Sequence, residues 1–145
     1  MDQGQVLIVN LSKGRLGADV ANILGGLIVS SFSLAAYSRQ RESESERSPF
    51  FLYADEFHSF TTTAFADMLS ELRKYGLGLI LSHQYTSQLD KNVLDSILGN
   101  VGSLLAFRLG ANDAITLARQ LACDIPGPTD LVNLPNYEMY LKIMN

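Results

Sequence analysis

The stretch Pro49-Phe50-Phe51-Leu52-Tyr53-Ala54-Asp55-Glu56-Phe57 decides how the rest of the chain is read. An uninterrupted apolar or small run, Phe50 to Ala54, leads directly into two adjacent carboxylates, Asp55 and Glu56. A short continuous apolar run bounded by a turn signal predicts a strand buried on both faces, as in parallel sheets. In such sheets the chemistry sits just beyond the carboxyl ends of the strands. Two acids at that position cost free energy unless a cation, hydrogen-bond donors or water compensates them.

This arrangement has the form of a Walker B element. In that reading Asp55 holds Mg²⁺ through water and Glu56 polarises an attacking water. The plainer alternative is a strand that ends in two solvated acids and then starts a helix, because acid pairs mark sites only statistically.

Working outward, Gln5 to Leu11 (Gln-Val-Leu-Ile-Val-Asn-Leu) is a second apolar, β-branched run and predicts a buried strand. Ser12-Lys13-Gly14-Arg15-Leu16-Gly17 turns it into a long helix over about residues 16 to 40. The segment Val20 to Tyr37 carries no charge and is long enough for a membrane span. Its Asn22, Gly25, Gly26, Ser30, Ser31 and Ser33, and its place after a strand, favour a buried crossover helix. Arg39 to Ser48 is polar, charged and without apolar periodicity, which predicts a helix end and then a mobile surface loop.

Beyond Glu56, Ser59 and Thr61 to Thr63 offer N-caps. Phe65, Met68, Leu69 and Leu72 follow at helical spacing, so a helix is expected to about Lys74, closed by Tyr75-Gly76. Leu77 to Leu81 predicts a third strand ending in Ser82-His83-Gln84-Tyr85. A short helix follows from Lys91 to Leu98, broken by Gly99-Asn100, and then a strand from Gly102 to Phe107 that ends at Arg108. Asn112 or Asp113 starts a helix to about Leu121. Pro126, Pro128 and Pro135 lie in loops, and Tyr137 to Ile143 predicts a last strand.

Strands alternating with helices imply an α/β fold, three layers deep, with a mostly parallel sheet between helices. Each strand delivers polar residues to one edge: Lys13, Asp55-Glu56, His83-Gln84 and Arg108.

With 145 residues the chain fits one domain, and 47% hydrophobic content is that of a globular protein. A net charge of −4 gives no global basic footprint of the kind a free-standing nucleic-acid binder carries. The single cysteine, Cys123, excludes an internal disulfide and a thiolate metal cluster. No secretory signal is visible. The phosphate-loop pattern Gly-x-x-x-x-Gly-Lys-Ser/Thr is absent throughout, so Gly14-Arg15-Leu16-Gly17 reads as a glycine-supported turn. His58 and His83 with the two acids raise a third possibility, a divalent-metal hydrolase, although neither histidine stands in a His-Glu-x-x-His spacing.

Taken together, Phe51 to Phe57, Leu69-Ser70-Glu71-Leu72-Arg73-Lys74-Tyr75-Gly76-Leu77 and Ser82-His83-Gln84-Tyr85 resemble the coupling-protein ATPases of bacterial conjugation and type IV secretion. These are relatives of the hexameric DNA-translocating motors. Asn100 to Gly102, Phe107 to Gly110 and Asn112 to Ala114 extend the resemblance, which spans roughly residues 5 to 140.

The resemblance implies a P-loop NTPase, RecA-like fold, with the chain as a single partial domain, the C-terminal part of a motor domain without its Walker A segment. It implies Asp55 as the Mg²⁺-linked acid, Glu56 as the base and Gln84 as the polar sensor of the γ-phosphate. Arg73 would be the arginine that reaches a neighbouring subunit's nucleotide, and Arg108 a second candidate for nucleotide contact. ATP and Mg²⁺ would be cofactors of the full-length parent, with none tightly held by this chain alone. DNA, neighbouring subunits of a hexamer and secretion-channel proteins are the implied partners. The implied location is the cytoplasm or the cytoplasmic face of the inner membrane.

Without the Walker A strand, expected between Leu77–Leu81 and Gly102–Phe107, two apolar strand edges lack a partner. Self-association, edge-to-edge pairing or direct closure of the gap is then expected. A non-catalytic interaction or oligomerisation module remains an alternative to the motor reading.

Overall fold

Two strands of six residues, β1 (Phe50–Asp55) and β2 (Leu77–Ser82), form a parallel pair at the centre of the larger core in the computed structural model, which describes residues 1–60, 63–121 and 127–143. Their register runs from Phe50 opposite Leu77 to Asp55 opposite Ser82. The period-2 alternation of a strand sends Phe50, Leu52, Ala54, Leu77, Leu79 and Leu81 into one apolar cluster.

Helices supply the rest of that cluster. A four-residue helix α1 (Lys13–Leu16) precedes α2 (Ala18–Ser38), and α3 (Thr63–Glu71) joins β1 to β2. The fourth helix, α4 (Lys91–Asn100), follows β2. Val29 and Ala36 of α2, Phe65 and Met68 of α3, Leu72, and Val93 and Ile97 of α4 all enter the core. Phe65, Met68 and Leu72 keep the helical spacing expected for that segment. A left-handed Gly76 (φ +76°) ends it, the conformation that glycine adopts without a Cβ penalty. The N-cap positions Thr61 and Thr62 lie outside the described residues, as do Cys123 and Pro126.

The long apolar helix is long and apolar enough to cross a membrane by length and composition. Its buried stripe is Ala21, Gly25, Val29, Ser33 and Ala36, whereas Val20, Ile23, Leu27 and Leu34 are exposed, so it packs on the core along one narrow face and is not the buried crossover helix expected. Small residues let neighbours approach closely. A Cβ on Gly25 would stand 2.4 Å from the Phe60 ring, and Phe32 stacks on Phe50 with centroids 5.3 Å apart.

A second, smaller core follows. The strands β3 (Ser103–Ala106) and β4 (Tyr140–Ile143) pair antiparallel, Ser103 opposite Ile143 and Ala106 opposite Tyr140. Between them in the chain come α5 (Ala111–Leu121) and α6 (Pro128–Val132), and Ala106, Ala114, Leu121 and Leu131 are buried together. Pro128 opens α6, where a missing N–H costs nothing, and the Asp130 carboxylate accepts from Gly127 N–H at 2.8 Å.

Several expectations are corrected. Residues 5–11 form no strand, and Val6 and Ile8 are 87% and 88% exposed. An apolar, β-branched run becomes a strand only where a ladder partner exists, and among the described residues β1 pairs with β2 alone.

Among the described residues, the expected three-layer, mostly parallel sheet is not seen, and the strands form two two-stranded sheets, one parallel and one antiparallel. Phe51, Tyr53 and Ile80 on one sheet, and Leu105 and Leu141 on the other, face out, so β1 is not buried on both faces. The gap between β2 and β3 is not closed, since those two strands share no ladder. The short helix α4 runs through Gly99-Asn100 instead of breaking there.

The stretch Arg39 to Ser48, expected as a mobile loop, is pinned by two arginines. Arg39 is 1% exposed and donates to the carbonyls of Ser48 (3.0 Å) and Tyr75 (3.1 Å) and to Asp2. Arg47 donates to the carbonyls of Arg39 (3.2 Å), Glu42 (2.7 Å) and Lys74. Charge in a sequence does not separate a solvated arginine from one whose guanidinium is turned inward to bind backbone carbonyls.

Candidate functional site

Parallel register makes the site. Because β1 and β2 run the same way and end together at Asp55 and Ser82, the residues beyond both ends share one rim. Asp55 Oδ1 accepts from Ser82 Oγ at 2.5 Å and from the Glu56 N–H at 3.1 Å. Both bonds fall on one oxygen, which leaves Oδ2 available. Asp55 and Ser82 are exposed, so a ligand can reach them.

Glu56 is one of two non-glycine residues with positive φ (+48°) among the described residues. That backbone costs of order 1 kcal/mol or more and persists only where its surroundings hold it. Here the strand gives way to the turn Phe57–Phe60, whose Phe57 is 1% exposed and stacks with Phe65 at 6.0 Å. The anchored Phe57 turns the chain sharply and aims the Glu56 side chain along the rim.

The Glu56 carboxylate accepts a hydrogen bond on Oε1 and has an imidazole nitrogen near Oε2 that does not hydrogen-bond to it. Gln84 Nε2 donates to Oε1 at 2.6 Å, and His58 Nδ1 lies 3.3 Å from Oε2. The network continues along the turn, with His58 Nε2 3.4 Å from Ser59 Oγ, which accepts from Lys13 Nζ at 2.7 Å. Asn22 of α2, with its amide nitrogen facing inward, donates to the Ser59 carbonyl at 3.2 Å. Thus α1, α2 and the turn after β1 meet at Ser59, and the loop after β2 reaches Glu56 through Gln84.

Asp55, Glu56 and Gln84 are therefore brought together, and Lys13 reaches Ser59 in the turn that follows them. Two other sequence-predicted residues are not. Arg73 is exposed in the turn Leu72–Tyr75, just before β2 begins. That is the opposite edge of the sheet, where Phe50 N–H donates to the Gly76 carbonyl. At ~3.3 Å per residue the two edges are about 20 Å apart. Arg108 is exposed beyond β3 and has no hydrogen bond or ion pair with Asp55, Glu56 or Gln84.

The metal-hydrolase alternative loses its geometry. The His83 ring meets Phe57 edge-on at 5.1 Å and does not join His58. Among the described residues no group of three or more His, Cys, Asp or Glu side chains could hold a metal.

Sequence reading missed three contacts. Ser82 was visible only as part of a polar strand end, yet register sets it against Asp55. Ser59 was expected as a cap and instead links Lys13 to His58. Asp113, expected to start a helix, is buried in the first turn of α5 and accepts from Thr86 Oγ1 and, at 3.4 Å, from Thr86 N–H. That contact ties the loop carrying Gln84 to the second core.

Comparison with known proteins follows the same lines. Residues 49–121 match the family described as the TraM recognition site of TraD and TraG. Two solved structures are similar. One is the bacterial conjugative coupling protein TrwBdeltaN70 in its unbound monoclinic form, with TM-score 0.64 and 21% identity. The other is the plasmid coupling protein TrwB in complex with the non-hydrolysable GTP analogue GDPNP, with TM-score 0.61 and 23% identity. Each comparison covers 85% of this chain and 35% of the other, so the chain spans about a third of the length of these neighbours. No curated protein matches. The matched segment contains β1, β2, Asp55, Glu56 and Gln84, and the chain belongs to the TraG/TraD family of conjugative coupling proteins, in its C-terminal region.

Proposed function

We propose that this chain is the Walker B and sensor part of a RecA-like motor ATPase that couples nucleotide hydrolysis to DNA transfer in conjugation. The observation that carries the reading is the Gln84–Glu56 hydrogen bond at 2.6 Å, across the rim where two parallel strands end. Asp55 with the Ser82 hydroxyl is an all-oxygen donor set, which suits Mg²⁺, an ion usually held by one or two carboxylates, waters and phosphates. When bound, the ion supplies charge neutralisation on the transferring phosphoryl group.

In this reading Glu56 accepts a proton from the attacking water, and Gln84 exchanges its bond to Glu56 for one to the γ-phosphate. Arg73, at the far edge, has no part in this chain's own rim and would serve the nucleotide of a neighbouring subunit in a hexamer. Arg108 is the second candidate for nucleotide contact. The GTP analogue held by one structural neighbour supports nucleotide binding in the longer protein. The phosphate-loop pattern is absent from these 145 residues. The chain alone is therefore expected to bind Mg-ATP weakly and hydrolyse it negligibly, and tight binding in a calorimetric titration would overturn this.

The test of the motor reading is Glu56→Gln in the full-length protein. DNA-stimulated turnover should fall about 100-fold or more with nucleotide binding retained, as expected on losing a general base. Unchanged turnover would sink it.

A second reading, an interaction module, is favoured by the bare sheet face of Phe51, Tyr53 and Ile80. The matched family description adds a TraM-type protein as a possible occupant. The two readings are compatible within one coupling protein, at the cytoplasmic face of the inner membrane or in the cytoplasm, with secretion-channel proteins as further partners.

A further inference from the structure

We propose that Asp113 is the positioning residue of Gln84, through a two-point clasp on Thr86 that ties the loop after β2 to α5. The proposal rests on Gln84 acting as the sensor of the reaction proposed above.

Both oxygens of the Asp113 carboxylate are engaged by one residue. Oδ1 accepts from Thr86 Oγ1, and Oδ2 accepts from the Thr86 N–H at 3.4 Å. Serine and threonine alone carry a hydroxyl on Cβ beside the backbone donor, so the clasp reads the residue type as well as the chain position. Asp113 is 7% exposed and, among the described residues, has no ion pair. A carboxylate withdrawn from water needs donors, and Thr86 gives it two. Its place in the first turn of α5, where the helix dipole favours negative charge, adds to them.

Gln84 lies between two anchors. The ladder of β1 and β2 ends at Ser82, and the His83 ring then meets the buried Phe57 edge-on at 5.1 Å. Beyond Gln84, Thr86 is the next residue held by a distant segment among the described residues. Gln84 itself makes no backbone hydrogen bond there, and it is exposed. Its aim is therefore set from either side, by the ring of His83 and by the clasp.

The second anchor comes from a different core. Ala114 and Leu121 seat α5 in the smaller cluster, away from the parallel pair. A shift of α5 relative to β2 pulls on Thr86 and moves the Gln84 amide on or off Glu56 Oε1, which it now reaches at 2.6 Å. The clasp is thus the route by which the smaller core biases the exchange of Gln84 between Glu56 and a phosphate. If Asp113 served only to steady the start of α5, its loss would lower stability without acting through Gln84.

Two measurements separate these roles. In the isotope-labelled 145-residue chain, the side-chain amide of Gln84 is assigned by its absence from the Gln84→Ala spectrum. Its proton shifts in Thr86→Val should move toward those in Glu56→Ala, whereas Thr86→Ser, which keeps the hydroxyl, should leave them in place. A Gln84 amide indifferent to Thr86→Val would overturn the proposal.

In the full-length protein, Asp113→Ala and Thr86→Val should each lower kcat about 10- to 100-fold with KM for nucleotide unchanged, the cost of a misaimed group. Thr86→Ser should recover much of that loss. In a Gln84→Ala background, Thr86→Val should cost no more than about twofold further, because the group it aims is already gone. If Thr86→Val costs the same factor in both backgrounds, or nothing in either, the positioning role is wrong and the motor reading stands. If Gln84→Ala is itself silent, the sensor role fails and takes the proposal with it.

Discussion

Gln84 donates to Glu56 across 2.6 Å, joining the second residue past one parallel strand to the residue just past its neighbour. The contact occupies both groups that the proposed hydrolysis needs, so it is a resting arrangement that must be exchanged during turnover. Gln84→Ala in the full-length protein is expected to lower kcat about 100-fold, the loss typical of one pre-aimed donor. Nucleotide affinity should change little, because the bond lost is to Glu56. Equal loss in kcat and in binding, measured by steady-state kinetics and titration, would show that Gln84 is a ground-state contact instead.

The floor under the site is a glycine. A Cβ on Gly25 would lie 2.4 Å from Cδ1 of Phe60, the last residue of the turn that carries His58 and Ser59. Gly25→Ala is expected to destabilise the fold by about 1–3 kcal/mol through overpacking, in spite of alanine's better helix propensity. Urea denaturation should show a lower midpoint, and a neutral result would mean that the ring moves aside freely.

Arg39 is the buried charge whose loss should hurt most. It is 1% exposed and binds two backbone carbonyls on different segments together with Asp2. Arg39→Ala leaves those carbonyls unpaired and opens the packing beside Tyr75, at an expected loss of about 3 kcal/mol. Calorimetry of the variant should show a clear fall in Tm, whereas Arg41→Ala, an exposed neighbour, should not.

Its partner predicts a pH response. The hydrogen bond from Arg39 holds the Asp2 carboxyl below its ordinary value. The folded state therefore gains stability from this group above the unfolded pKa of about 3.9, and loses it as pH falls through the lower folded value. The effect is small because Asp2 is 60% exposed. Thermal midpoints of wild type and Asp2→Asn should differ near neutral pH and converge in strong acid. A difference that grows on acidification would contradict the assignment.

The bare sheet face should make the chain self-associate. Tyr53 and Phe51 are 74% and 58% exposed on the same side of β1, beside Ile80 at 40%. Sedimentation is expected to show concentration-dependent association that Tyr53→Lys together with Ile80→Lys reduces, since charge on such a face opposes stacking. A monomer at all concentrations would mean that the face is tolerated in water.

Much of this molecule is written locally. The run Phe50 to Ala54, the helical spacing of Phe65, Met68 and Leu72, and Gly76 at the stop all carry their structure in neighbouring residues, so α3, β1 and β2 were legible. So was the acid pair at a strand end. Contacts between residues far apart in sequence were not. Ser82 with Asp55, Lys13 with Ser59, Thr86 with Asp113 and the burial of Arg39 all depend on register and chain path. Residues 5–11 show the limit from the other side, because their composition asks for a ladder that no described neighbour provides.

The order of residues alone determined that two carboxylates follow an apolar strand and that Gln84 follows another, because periodicity and turn chemistry act over a few residues. Whether those ends meet, which oxygen each donor reaches, and which face of each sheet stays bare were decided by the tertiary structure alone. Hydrogen bonds form over about 3 Å, and only the folded chain brings Gln84 and Lys13 within that distance of their partners around Glu56.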